Sequence, residues 1–321
     1  MRRRVPVNPA PVAPVPTMAH NRAGGGIVLM AIGVSLLPIM DALAKYLGAA
    51  YGPIQIGMMR FIAQIVFTLP LALWFVGLGA LKPSPFGLQA MRGMLIGGAT
   101  CFFFGALNHM PLADALAIFF VSPLLVTAIS ALLLREQVGI RRWGAVLCGF
   151  AGAMIVIRPG SGIFGIAAVL PLCAAACFAS YMIVTRQLAG RADAWSTNFQ
   201  TAAFGALFLA IVLVVAQALG FEALAFRPLR AEHWVHFVGI GVVATSGHFL
   251  VIKALERAPA SAMAPIGYLE MFSAAIVGWV AFGDIPDIWT VTGIVLIIAS
   301  GLYVSWREEQ LSRRAKREAA A

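Results

Sequence analysis

Glu270 is the sole charge between Arg257 and Asp284, in the middle of an apolar run. An ionised side chain at that depth in hydrocarbon costs about 3 kcal/mol or more, so it marks a partner or a function. A carboxylate there suits proton carriage, or the holding of a cationic or hydrogen-bonding solute. Gly267, Ala274 and Gly278 recur on its helical face and leave space beside it. Asp41 and Lys45 lie four residues apart, one helical turn, with the acid first. They read either as a self-neutralising pair, with Lys45 snorkelling to headgroups, or as a gate or solute contact. Arg60 needs a partner or a polar cavity. Asp41 and Asp114 stand at a comparable depth, so an ion pair between helices and direct binding of an acidic group are the two readings. His248 suits either proton shuttling or a packed, hydrogen-bonded role. Ser122 precedes Pro123, whose ring frees a carbonyl inside a helix. Tyr268, like Phe119, Phe120 and Tyr181, offers a ring face to a planar ligand or to neighbouring helices.

Other patterns carry less. Cys173 and Cys177 are one turn apart with no further ligand near them, and read as small packing residues. Glu232-His233-x-x-His236 is a weak metal pattern. Neither a zinc-protease HExxH, a GxSxG elbow, a GxxxxGK phosphate loop nor a dinucleotide glycine fingerprint occurs. The expectation is therefore no enzyme, no resident metal and no cofactor.

The elements that must position these residues follow from composition. The chain has 321 residues, 61% hydrophobic and 11% charged, against roughly 25% charged in soluble domains. At roughly 20 residues per span, the apolar material suffices for ten helices, read at 26–47, 53–78, 88–107, 112–134, 140–157, 163–185, 197–219, 233–254, 260–282 and 288–306. In lipid every backbone polar group needs an internal partner, which requires helices here. A net charge of +10 suggests nucleic acid on a soluble protein, but here the basic residues lie between and beyond the apolar runs. With the amino terminus inside, 18 Lys and Arg residues fall on inward segments and 4 on outward ones, with Arg60 within a span. The bias places both termini in the cytoplasm. The partners expected are the lipid bilayer and a small-molecule substrate, with no nucleic acid; a homodimer is left open.

An internal repeat is visible. Ala106-Leu107-Asn108-His109-Met110-Pro111 matches Ala254-Leu255-Glu256-Arg257-Ala258-Pro259, and Gly144 and Gly152 match Gly293 and Gly301. Ser122-Pro123 then stands opposite Glu270-Met271. Five spans per repeat is an odd number, so the halves enter the membrane with opposite polarity, an arrangement that can rock about one midplane site. The reading is an all-α membrane protein of ten transmembrane helices in two inverted five-helix repeats, 26–157 and 163–306. A basic, proline-rich arm (1–23) precedes them and a basic tail (307–321) follows.

Met40-Asp41-Ala42-Leu43-Ala44-Lys45, Gln55, Arg60, Pro111 to Pro123, Leu134-Arg135-Glu136, Ala254-Leu255 to Pro259 and Leu269-Glu270 resemble the EamA-type branch of the drug/metabolite transporter superfamily. Gly283-Asp284 departs from the usual Glu after span 9. The resemblance implies a secondary transporter in the inner membrane, moving a small polar metabolite. Riboflavin, S-adenosylmethionine and amino acids are among the family's solutes, and multidrug export is the alternative within the same fold. The residues expected along the path are Glu270, Asp41, Lys45, Arg60, Asp114, His248, Ser122 and Tyr268.

Overall fold

The computed structural model describes residues 18–82, 85–133, 140–159, 164–188, 193–221, 224–255, 257 and 260–320. The described residues form helices and no strand. They are α1 (Met18–Gly48), α2 (Pro53–Val76), α3 (Phe86–Leu107), α4 (Leu112–Phe119), α5 (Ser122–Leu133), α6 (Ile140–Ile157), α7 (Val169–Leu188), α8 (Ala194–Ala218), α9 (Trp234–Leu255), α10 (Ala260–Gly267), α11 (Leu269–Phe282) and α12 (Ile288–Ala320). Among the described residues, nine helical segments are long and apolar enough to cross a membrane, and Trp143–Ile157 is a shorter apolar helix. Large apolar side chains point outward along them, including Val66, Val214, Val235, Phe272, Val280 and Val295. Water would not tolerate so broad an apolar surface; lipid does.

The helix limits depart from the sequence reading at three places. The first helix begins at Met18, ahead of the span read from residue 26, and residues 1–17 of the arm lie outside the described residues. The last helix runs on through the basic tail to Ala320. Most important for function, the spans read as continuous at 112–134 and 260–282 are each broken. The first is interrupted at Phe120–Val121 and the second at Tyr268. Pro123 explains the first break, because it has no N–H to give to the carbonyl four residues back and its ring crowds that carbonyl. The second break follows Pro265-Ile266-Gly267. Phe120 and Tyr268 are equivalent positions in the two repeats, and their rings meet at 5.6 Å.

Close helix contacts repeat the relation between the halves. A methyl group on Gly57 in α2 would meet Leu209 in α8 at 2.9 Å, and one on Gly205 in α8 would meet the ring of Phe61 in α2 at 3.2 Å. Gly57 and Phe61 in the first half are the counterparts of Gly205 and Leu209 in the second. The contact is thus its own image, as a two-fold axis between α2 and α8 requires. Gly93 of α3 approaches Phe204 and Gly205, and its counterpart Gly241 of α9 approaches Ala63. Elsewhere Gly152 and Gly293 bring α6 and α12 into backbone contact, the small-residue packing that holds helices together without a hydrophobic driving force.

Candidate functional site

The two broken spans point their internal ends at one place. Ser122 opens α5 and Glu270 stands in the first turn of α11. Glu270 is therefore at the start of a half-helix rather than in the middle of a continuous one, as the sequence suggested. Both residues border a central cavity of about 240 Å³. The start of a helix is its positive dipole end, so two such ends lie beside the cavity. This juxtaposition depends on the backbone breaks and could not be read from apolar patterning.

The cavity has two kinds of wall. Asp41 of α1, Arg60 of α2, His248 of α9 and Glu270 of α11 are its ionisable lining. Phe103 and Phe104 of α3, Phe119 and Phe120 around the α4 break, and Phe178 of α7 are its aromatic lining. The rings form a connected set, with Phe119 5.3 Å from Phe103 and 5.2 Å from Phe178. Sequence reasoning named Phe119 and Phe120 only as ring faces for a planar ligand or for neighbouring helices. Phe178 and Thr100 went unmarked, and no local pattern distinguishes them.

Asp41 is 3% exposed and Arg60 5% exposed, so neither charge is solvated by bulk water. Arg60 Nη1 donates to Thr100 Oγ1 at 2.9 Å, and its guanidinium lies 4.8 Å from the centre of the Phe61 ring. Its Nε is buried without an acceptor. The interhelical ion pair, one of the two readings for Arg60, does not form: among the described residues no carboxylate oxygen lies within 4 Å of it. A guanidinium has five N–H donors, so most of this one's capacity is unspent. His248 Nδ1 donates to the Ala244 carbonyl at 2.7 Å, since a carbonyl only accepts. Its Nε2 is left as the atom available for exchange with the cavity.

Lys45, Asp114 and Tyr268 do not line the cavity. Lys45 does not pair with Asp41; its Nζ meets Asp284 Oδ2 at 2.6 Å and the Met110 carbonyl at 3.3 Å, and it covers the Phe282 ring. Asp114 accepts from the Thr290 hydroxyl. Arg158 Nη2 meets Asp287 Oδ2 at 2.6 Å. Together these contacts tie α1, α4 and the end of α6 to the α11–α12 junction, and so join the two halves at the end of the bundle remote from the termini. Asp287 also caps α12, accepting from the Thr290 amide at 2.9 Å. Burial opposes its charge, but Thr290 and Arg158 outweigh burial and hold the carboxyl below its ordinary range. Tyr268 lies at the helix break, its hydroxyl seated against Gly301, where a side chain would displace it.

A second buried arginine was read only as a positive loop charge. Arg92 donates from Nε to Thr185 at 2.8 Å, from Nη1 to the Thr197 carbonyl at 3.2 Å and the Thr201 hydroxyl at 2.6 Å, and from Nη2 to Tyr181 at 2.8 Å. It links α3 to α7 and α8.

The EamA-like transporter family model matches residues 24–158 and 164–306, one copy on each half. The chain belongs to the EamA-like transporter family. It is 26% identical over 301 residues to the riboflavin transporter of Vibrio cholerae, covering 93% of this chain and 98% of that protein. It is 26% identical over 294 residues to the S-adenosylmethionine uptake transporter of Rickettsia prowazekii, covering 89% of this chain and 94% of that protein. A crystal structure with 18% identity shares the fold at a TM-score of 0.59, over 92% of this chain and 99% of the other. The matched repeats coincide with the structural halves. This EamA-family protein is therefore a multi-pass, small-molecule transporter rather than a soluble binding protein.

Proposed function

We propose that the chain is a secondary transporter of the inner membrane whose central cavity binds a small polar metabolite, with both termini cytoplasmic and no enzymatic activity. One observation carries the site assignment: ionisable groups from both repeats meet one cavity at the start of two half-helices. Keeping several poorly partnered ionisable groups within the span is costly unless a solute completes their hydrogen bonds. The aromatic wall suits a planar portion of the solute, a property shared by the solutes named for the riboflavin and S-adenosylmethionine transporters. The ion pairs at the end remote from the termini make that end the outer seal, leaving the cavity to exchange with the cytoplasmic side in this conformation. Exchange of sides then requires Lys45 to leave Asp284 while the two halves rock about the α2–α8 contact.

The decisive experiment is counterflow in proteoliposomes containing this chain alone. The screen covers riboflavin, S-adenosylmethionine and a panel of amino acids. Saturable accumulation that an Arg60→Gln substitution abolishes, with equal protein in the membrane, is the expected result. Saturable transport unaffected by every substitution among Asp41, Arg60 and Glu270 would move the site elsewhere.

A further inference from the structure

We infer that the cleft between α2, α8 and α9, at the end of the bundle that holds the termini, binds an anionic phospholipid, with its phosphate against Lys253 and one acyl chain laid along the cleft. The site is separate from the central cavity and does not depend on what that cavity carries. Only the naming of its leaflet as the cytoplasmic one rests on the proposed orientation.

The cleft opens to lipid. Helices α2 and α9 end where α8 begins, so Phe75, Lys253 and Trp195 stand near one level of the bundle. The space between them is about 570 Å³, within the roughly 300–1,000 Å³ of small-ligand sites. Val235, Val238 and Val242 are exposed along α9, and the exposed Phe249 continues their row at helical spacing. Phe75 is exposed across the cleft from it. A ligand reaches this face from the bilayer.

Its wall is apolar, with hydrogen-bond donors set into it. Leu71, Leu250 and a row of rings, Phe75 at 5.1 Å from Trp195 and Trp195 at 5.9 Å from Phe249, give the apolar surface. Among the described residues, the Trp195 indole N–H has no acceptor. Asn198 spends its Oδ1 on Gln64 at 2.9 Å and leaves its amide N–H groups without one. The Thr245 hydroxyl is buried without a partner. Lys253 carries the only charge among the described residues bordering the cleft, its Nζ 5.7 Å from the centre of the Phe249 ring. The wall therefore suits a ligand with an apolar body, several acceptors and a negative charge at the membrane surface. An anionic phospholipid has all three: acyl chains, ester oxygens that only accept, and a phosphate with no cation beside it. The start of α8 does not compete for the phosphate, because Asp193 already accepts from the Trp195 and Ser196 amides there.

The cleft is not a by-product of the repeat. The match of Gly93 with Gly241 and of Ala106 with Ala254 sets α3 against α9. It puts Gly97, Gly98, Cys101 and Gly105 where α9 has Thr245, Ser246, Phe249 and Lys253. The small residues let α3 close on its neighbour, and a methyl group on Gly97 would meet Phe208 of α8 at 3.0 Å. Of the two equivalent places, the one on α9 has the hydroxyls and the charge, and the one on α3 has neither. Inverted halves put these places at opposite ends of the bundle, so the site serves one leaflet.

The test is native mass spectrometry of the full-length protein in detergent, titrated with dioleoyl phosphatidylglycerol, dioleoyl phosphatidylcholine or glycerol 3-phosphate. Phosphatidylglycerol is expected to bind about fivefold more tightly than phosphatidylcholine, the effect of one lysine at a membrane surface. Glycerol 3-phosphate, a headgroup without chains, is expected not to bind. Lys253→Gln should erase the preference between the lipids. Ser246→Phe fills the cleft from its exposed side and should weaken both lipids. Lys82→Gln removes an exposed charge at the same end of the bundle but outside the cleft, and should change nothing. Equal binding of the two lipids overturns the inference, as does unchanged lipid binding in Ser246→Phe. An equal loss in Lys82→Gln also overturns it, by showing diffuse surface charge. Glycerol 3-phosphate binding as tightly as the lipid does so too, by showing a phosphate site that uses no chain. Thermal unfolding of each variant in lipid-free detergent checks that it is folded, and Ser246→Phe keeps the inference open to refutation if Lys253→Gln is not.

Discussion

Arg60 and Arg92 are both buried within the helical bundle, yet their surroundings differ. Four donations from Arg92 reach neutral oxygens on α7 and α8. Arg60 reaches one hydroxyl and otherwise borders a cavity. A charge whose hydrogen bonds are filled by neighbouring helices is architecture, because its cost is met within the fold. A charge with one partner beside a cavity is what the proposed function treats as a recognition element, because a ligand there can complete its hydrogen bonds. Residue type and burial are alike in the two cases, and the count of partners separates them.

The largest expected effect tests the architectural side. Arg92→Ala strands acceptors on four residues and should destabilise the protein by roughly 3 kcal/mol, lowering Tm by roughly 6–12 °C. Arg60→Met should leave Tm within about 3 °C or raise it, because a buried, poorly satisfied charge gives way to a packed apolar chain. Equal losses of Tm in the two variants would break the comparison.

The next effect sharpens the functional side. Arg60→Lys keeps the charge but loses the planar fork. Transport should fall about tenfold or more, the cost of about one charged hydrogen bond, with Tm unchanged. An unaltered rate would show that Arg60 acts through charge alone.

A smaller effect is expected at the end proposed as the outer seal. Asp284→Asn removes one partner of Lys45, whose side chain is 17% exposed and that of Asp284 26%. Partial solvation limits the loss to about 1 kcal/mol. A cysteine introduced at Ala99, which borders the cavity, should then react faster with an impermeant maleimide added from the outer face. Unchanged labelling would remove Lys45–Asp284 from the seal.

The smallest effect concerns pH. Asp287 has its carboxyl held below the ordinary range, so its contribution is complete above the unfolded value, about 3.9, and is lost only as pH falls through the lower folded value. Asp287→Asn should therefore give the same small change in Tm at pH 8 and pH 5. A change that shrinks between those values would show that Asp287 titrates higher than its Arg158 and Thr290 contacts imply.

Much of the frame was legible in the sequence. Apolar runs fix helices because lipid offers the backbone no partners, and repeated Gly and Pro spacings mark two related halves. Glu270, Asp41, Arg60, Ser122 and His248 stood out because polar groups in apolar runs are costly, and the fold brings all five to one cavity. Lys45, Asp114 and Tyr268 stood out by the same rule and lie elsewhere, two of them in contacts at the end of the bundle remote from the termini and one at a helix break.

What the sequence by itself determined was therefore the helices, their pairing into repeats and a short list of unusual charges, because those depend on transfer from water to lipid, a property of each residue. Only the tertiary structure decided which charges are spent. Pairing Lys45 with Asp284 rather than Asp41 joins residues 239 positions apart, and filling Arg92 while leaving Arg60 open depends on which hydroxyls arrive from other helices. Hydrogen bonds act over a few ångströms and are set by where distant segments pack, so neither depth nor local spacing could assign them.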